Sequence, residues 1–336
     1  MRVLKVSISG IAAWLGVILS GHHVVHAQEL QIRIPAHDPV MIKQDSVYHM
    51  YCTGWGIASW SSTDMVHWKA EKPVFAAAPQ WAVEAVLGFK GHLWAPDISY
   101  YNGLYYLYYA VSTYGSNTSC IGVATNKTLD VASADYAWTD HGKLIQSVAG
   151  KNNWNAIVPN LITDKDGTPY LAFGSFWGGI KMVKLNPDRR SLAQSLDDLP
   201  TIASRIKSAP DVAGLNPIEA PFIFRSGKYY YLFASIDYCC KGPQSTYKII
   251  VGRSKKLLGP YVDKEGVELT YGGGTILLQG DKNWYGVGHN AVCNFNGTDY
   301  LIFHGYDAND QGKSKLIIDK LTWSKGWPEA KDSSVN

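Results

Sequence analysis

Two carboxylates stand out by their neighbours: Asp38 in "HDPVM" and Glu219 in "NPIEAPFIF". Hydrolysis of a glycosidic bond needs such a pair. One carboxylate activates a water, and one carboxylic acid protonates the departing oxygen. Glu219 sits between Pro217 and Pro221 among apolar residues, which suits the proton-holding role. Asp38 has more polar company, His37 before it and Pro39 after, which suits the base. His289, in "GVGHNAV", could ligate a metal or hydrogen-bond a sugar. Trp94 and Trp177 offer faces that stack on the apolar faces of sugar rings. The glycines of "GSFWGGI" would let a polymer approach the backbone beside Trp177. Any single Asp, Glu or His is more often a rim or structural residue. Their matched placement in a repeat is what ties these together.

These residues are far apart in the chain, so a repeated element has to gather them. Five apolar-aromatic strands share one design: "SVYHMYCTG", "GLYYLYYAVS", "TPYLAFGSF", "KYYYLFAS" and "TDYLIFHGY". A turn precedes each: Gln44-Asp45, Asn102-Gly103, Asp166-Gly167, Ser226-Gly227 and Asn296-Gly297. Before each turn lies a shorter strand: "HDPVMIK", "WAPDISYY", "IVPNLIT", "EAPFIFR" and "HNAVCNF". The unit recurs roughly every 60 residues, room for about four short strands, as in a propeller blade. Helical periods are few. The expected fold is all-β, a five-bladed β-propeller, in preference to a β-sandwich, whose strands would not repeat in this way. In a propeller the first strand of each blade lines the channel. The strand entrances His37-Asp38, Trp94 with Asp97, Ile157-Val158, Glu219 and His289-Asn290 should therefore meet in one pocket. Four of these entrances carry a carboxylate or imidazole; the third carries Val158.

Composition bounds the rest. Arg2 and Lys5 precede an apolar run from Val6 to Ser20, followed by Val25-His26-Ala27. That order predicts a signal peptide, 1–27, cut after Ala27, and a secreted or periplasmic single domain over 28–336. The run is short for a bilayer span and no second one follows, so no membrane partner is expected. The chain has 31 Lys+Arg and 28 Asp+Glu; loss of the leader leaves 29 basic residues and no basic run. Nucleic-acid binding, which needs clustered cations, is excluded on this count. A monomer is expected. None of the five cysteines has zinc-site spacing. Adjacency disfavours a bond between Cys239 and Cys240, which read as buried small apolar residues.

Taken together, "HDPVM", "HLWAPDI", "VSTYGSNTSCIGVATNKTLD", "WNAIVPN", "FGSFWGGIK", "IEAPFI", "YYYLFASIDYCC", "VGRSK" and "GVGHNAV" resemble glycoside hydrolase family 43, and within it the endo-α-1,5-L-arabinanases. The likeness spans roughly residues 36–328 and is specific in order and combination. It implies an inverting hydrolase acting on linear arabinan, with Asp38 as general base and Glu219 as general acid. It implies that His289 holds a calcium ion through itself and waters, with no organic cofactor. Gly115, Asn155, Ala156, Ile157, Ser175, Phe176 and Trp177 match substrate-contacting positions. The sequence departs at one point. The family's asparagine-alanine-isoleucine-aspartate-proline motif has a third carboxylate where this chain has Val158. In the family that aspartate tunes the acid and orients acid and sugar. Valine can do neither, so weakened activity is implied.

Overall fold

A computed structural model of the chain describes residues 34–207 and 214–330. The expected leader and the domain boundary at residue 28 lie outside them. Five antiparallel sheets follow one another along the sequence, the five blades of a β-propeller. Blade one runs Val40–Gln44, Val47–Cys52, Ala58–Ser62 and Lys69–Ala70; blade two His92–Tyr101, Leu104–Val111, Ser119–Asn126 and Thr139–Ser147. Blade three has Asn160–Thr163, Pro169–Phe173, Ile180–Lys184 and Thr201–Ala203. Blade four has Ile218–Ser226, Tyr229–Ile236, Lys248–Ser254 and Thr275–Gln279, and blade five Trp284–Phe295, Thr298–Asp307, Lys313–Ser324 and Trp327–Ala330. A short strand, Gly54–Trp55, adds to the start of the inner strand of blade two.

The turns follow from their residues. Asn102-Gly103 and Asn296-Gly297 both have positive φ at each position, the two-residue turn that matches strand twist. Blade three differs: Thr163 pairs with Pro169, so a longer loop joins its first two strands. Apolar clusters fill the gaps between blades. Leu107, Tyr109, Met50 and Ile302 share the cluster joining blades five, one and two, and Ile180, Leu232 and Ile250 share one joining three and four. Buried tyrosines find partners: the Tyr109 hydroxyl donates to Asp140 at 2.6 Å and that of Tyr108 to the Arg189 carbonyl at 2.7 Å. The ring closes without a covalent link. The Leu316 N–H donates to the Ile34 carbonyl and Pro35 bridges Lys315, so the segment before blade one lies along the third strand of blade five. Three residues later the chain delivers Asp38. Among the described residues no helix is long and apolar enough to cross a membrane.

Every inner strand begins with the same backbone device. One residue at each entrance has left-handed φ: Asp38, Ala95, Val158, Ala220 and His289. Proline follows the first four and Asn290 the last. In blades two, four and five the ladder register also shifts there. Proline cannot donate to a ladder, so it is confined to such bulges and edges. This corrects the matching made on sequence. Only Asp38 and His289 are ionisable residues at the equivalent position. Glu219 lies one residue before it in blade four, and Asp97 two residues after it in blade two. Val158 is thus not a lone gap in a ring of charges. It is unusual for another reason: a β-branched residue at φ 54° is a steric outlier.

Candidate active site

The five entrances open into one cavity of about 520 Å³ on the propeller axis. Asp38, Glu219, Val158, His289, Trp94, Gly115, Asn155, Ile157, Ser175, Phe176 and Trp177 all line it. Ala156 does not. It is fully buried, and its N–H donates to Ser147 Oγ at 2.9 Å. Trp154 is buried too, edge-on to Phe173 at 5.5 Å.

Asp38 is held from several sides. Thr53 Oγ1 donates to Oδ2 at 2.6 Å, and His289 Nδ1 lies 2.9 Å from Oδ1. The left-handed turn directs the Asp38 N–H to His304 Nδ1 at 3.1 Å. That bond fixes the tautomer of His304: Nδ1 accepts, so Nε2 carries the proton, facing the Tyr306 hydroxyl at 3.2 Å. Burial, then the nearby His37, push the His304 imidazolium well down, so the ring is neutral. Its 3.7 Å approach to Asp38 Oδ1 is consequently not an ion pair. For Asp38, burial alone would raise the carboxyl. His289 and His37 override it and hold the group well below the usual carboxylate range. Reciprocally, burial would lower His289, but Asp38 beside it raises it.

Glu219 is oriented by two hydroxyls. Tyr247 lies 2.8 Å from Oε1 and Ser175 Oγ lies 2.7 Å from Oε2. Burial, then the negative charge of Glu219, keep the Tyr247 phenol well above its ordinary value, so it remains a donor. Gly288 makes room for it, since a Cβ there would come within 2.0 Å of the Tyr247 ring. Each carboxyl oxygen thus accepts one hydroxyl and keeps a second site for a transferable proton. Removing one orienting bond should be felt but not fatal. Tyr247→Phe is expected to lower kcat about fivefold, on the order of 1 kcal/mol, with KM nearly unchanged. Initial rates on linear arabinan check this.

Asp97 takes no part in the cavity lining. Its Oδ2 accepts the Leu161 N–H at 2.6 Å and its Oδ1 the Asn160 amide at 3.4 Å, and Asn160 Oδ1 accepts from the Ile223 N–H. The carboxyl, which burial pushes up to about 7, stitches blades two, three and four together. It is committed there and cannot replace the missing carboxylate. Val158 packs in an apolar patch with Ala95, Ala110 and Ile157.

His289 has features of a cation ligand. Its Nδ1 faces Asp38, the arrangement that leaves Nε2 free and orients a ligating imidazole. Asp38, Glu219 and Asp97 all act electrostatically on its ring. Beside it, both polar atoms of the buried Asn290 side chain lack a protein partner. A hard cation held largely through water fits this donor set.

Some site residues escaped the sequence reading. His304 and Tyr306 lie in the second strand of blade five, and Thr53 and Tyr247 at the edges of other strands. The available signal was a polar side chain inside an apolar run, as in "LIFHGY". Cys239 and Cys240 require a correction. They are bonded to each other and line the mouth of the cavity, Cys240 exposed, rather than packing as buried apolar residues. The turn after Ile236 brings them to the surface, where no core surrounds them.

Several known proteins are similar to this chain. The family model described as glycosyl hydrolases family 43 matches residues 32–328. The chain is 45% identical to an extracellular exo-α-(1→5)-L-arabinofuranosidase of Cellvibrio japonicus, over 90% of this chain and 88% of that one. It is 45% identical to an extracellular endo-α-(1→5)-L-arabinanase of Bacillus subtilis, over 87% and 86%. A solved α-L-arabinanase of Cellvibrio cellulosa, complexed with arabinohexaose, superposes with a TM-score of 0.86 at 46% identity, covering 89% of this chain and 96% of that one.

Proposed function

Because the chain belongs to glycosyl hydrolase family 43, we propose that the axial cavity hydrolyses internal α-1,5-L-arabinofuranosidic linkages of linear arabinan, with inversion. The observation that carries this reading is the convergence of Asp38 and Glu219 on one cavity, each oriented by dedicated donors. Asp38, kept ionised by its histidine neighbours, takes the proton from the attacking water. Glu219 delivers its carboxyl proton to the departing sugar oxygen. Inversion requires the two carboxyls to stand roughly 6.5–9.5 Å apart, with water between them. Trp94, Phe176 and Trp177 supply ring faces for the furanose units.

Endo action is favoured by Trp177. It also borders a second, polar hollow of about 530 Å³, lined among others by Asn117, Gln146, Asn152 and Asn153. A chain could leave the axial cavity across that indole instead of ending inside. The Cellvibrio japonicus relative, by its name, works from chain ends, so product pattern is the discriminating experiment. Early release of oligosaccharides of several sizes from debranched arabinan is expected. One product size from the first time points would make the enzyme exo-acting. Calorimetric binding with no new reducing ends would make it a binding protein, an outcome Val158 makes worth testing.

A calcium ion would be held by His289 and waters, near Asn290. When bound it would supply a fixed positive charge to the axial hollow. Export after Ala27 fits two relatives named extracellular. Monomeric action on the polysaccharide alone completes the proposal.

A further inference from the structure

We propose that reduction of the Cys239–Cys240 bond creates a binding site for a thiophilic divalent cation such as zinc, made by both thiolates and His37, at the mouth of the cavity. Three observations carry it. First, in the disulfide-bonded chain one ligand atom from each of His37, Cys239 and Cys240 lies within 4.8 Å of the others, so that once the S–S bond is broken the freed sulfurs need only separate to surround one tetrahedral ion with the imidazole. Second, His37 presents the right nitrogen. The Ser314 hydroxyl donates to the Ala36 carbonyl, so at 3.2 Å its oxygen can only accept from His37 Nδ1. Nδ1 is therefore protonated, and Nε2, the atom a metal would use, faces Cys240 Sγ and Asp38 Oδ1, each 3.6 Å away. Third, the site is open: Cys240 is exposed and both cysteines line the cavity.

The chemistry balances. A dithiol reductant supplies two electrons and two protons; the protein S–S bond breaks, two S–H bonds form, and the reductant closes to its own disulfide. The ion then displaces both thiol protons and any proton on His37 Nε2, whose lone pair it takes. In the oxidised chain neither sulfur is a thiolate, so one imidazole remains and binding is weak. An ion here would stand against Asp38 and obstruct the water it activates. That consequence rests on the hydrolase reading; the binding itself does not.

Calorimetry with zinc chloride tests the proposal on the full chain, oxidised and dithiol-reduced, with native thiols counted before and after. Reduction should expose two further thiols and give one zinc per chain bound at least about tenfold more tightly than in the oxidised form. Cys240→Ser should abolish that difference, and His37→Gln should weaken zinc binding by the reduced chain. With cadmium, only the reduced wild-type chain should show full thiolate charge-transfer absorption. Equal affinity in both redox states would overturn the proposal. So would a difference that persists in Cys240→Ser, or failure of the reductant to expose any new thiol in the folded protein.

Discussion

Asp38→Asn is expected to lower kcat on linear arabinan by about 10³-fold or more while leaving the fold intact. The substitution keeps the backbone of this position. Asp38 has left-handed φ, which Asn tolerates well. Its N–H bond to His304 is a backbone contact and survives. Thr53 can still donate to the side-chain oxygen, while the amide nitrogen takes the place of Oδ1 and the bond from His289 Nδ1 is lost. What disappears is the negative charge and the proton acceptor. A fall of less than about tenfold would mean that another group takes the proton from water. Melting temperature and substrate binding, measured in parallel, separate loss of chemistry from loss of structure.

Val158→Asp is expected to raise kcat about tenfold or more. Valine here is strained and chemically silent: left-handed, buried, and packed with Ala95, Ala110, Ile157 and the flank of Trp94. Asp at the matching position of blade one shows that this backbone accepts the residue. A carboxylate would give the cavity a further acceptor for sugar hydroxyls. Asp97 cannot serve, because Leu161 and Asn160 hold it. Val158→Asn separates the two effects. It matches the backbone and the size of the side chain without adding charge, and should recover little activity. If Asn and Asp raise the rate equally, the carboxylate is not what this site lacks. If neither does, position 158 has no bearing on turnover.

The propeller was legible because each blade announces its first hairpin. Asn-Gly turns and runs of Tyr, Val and Ile are local signals, and their regular return across the chain survives without any knowledge of packing. The same repeat exposed Asp38, Glu219 and His289, because strand entrances of matching register meet on an axis. Finer matching failed for a physical reason. The left-handed turn at each entrance, which sequence does not mark, falls on Ala95 and Ala220 in blades two and four, so Asp97 lies two residues after and Glu219 one residue before the position that Asp38 and His289 share. The supporting residues were hidden. Tyr247 sits just ahead of the third strand of blade four, and His304 in the second strand of blade five. Their directions depend on twist and on the glycine that faces them, neither of which has a sequence period. Cys239-Cys240 misled because burial was inferred from residue type, whereas a surface turn carries them.

Central to all of this is the assignment of Asp38 and Glu219 as base and acid on opposite sides of the scissile bond. The configuration of the first-formed reducing end tests it most directly. Proton NMR of linear arabinan with enough enzyme to outpace mutarotation should show the β-anomer appearing first, the mark of one direct attack by water. An α-anomer appearing first would mean two successive displacements, with one of these carboxylates as nucleophile, and would contradict the account.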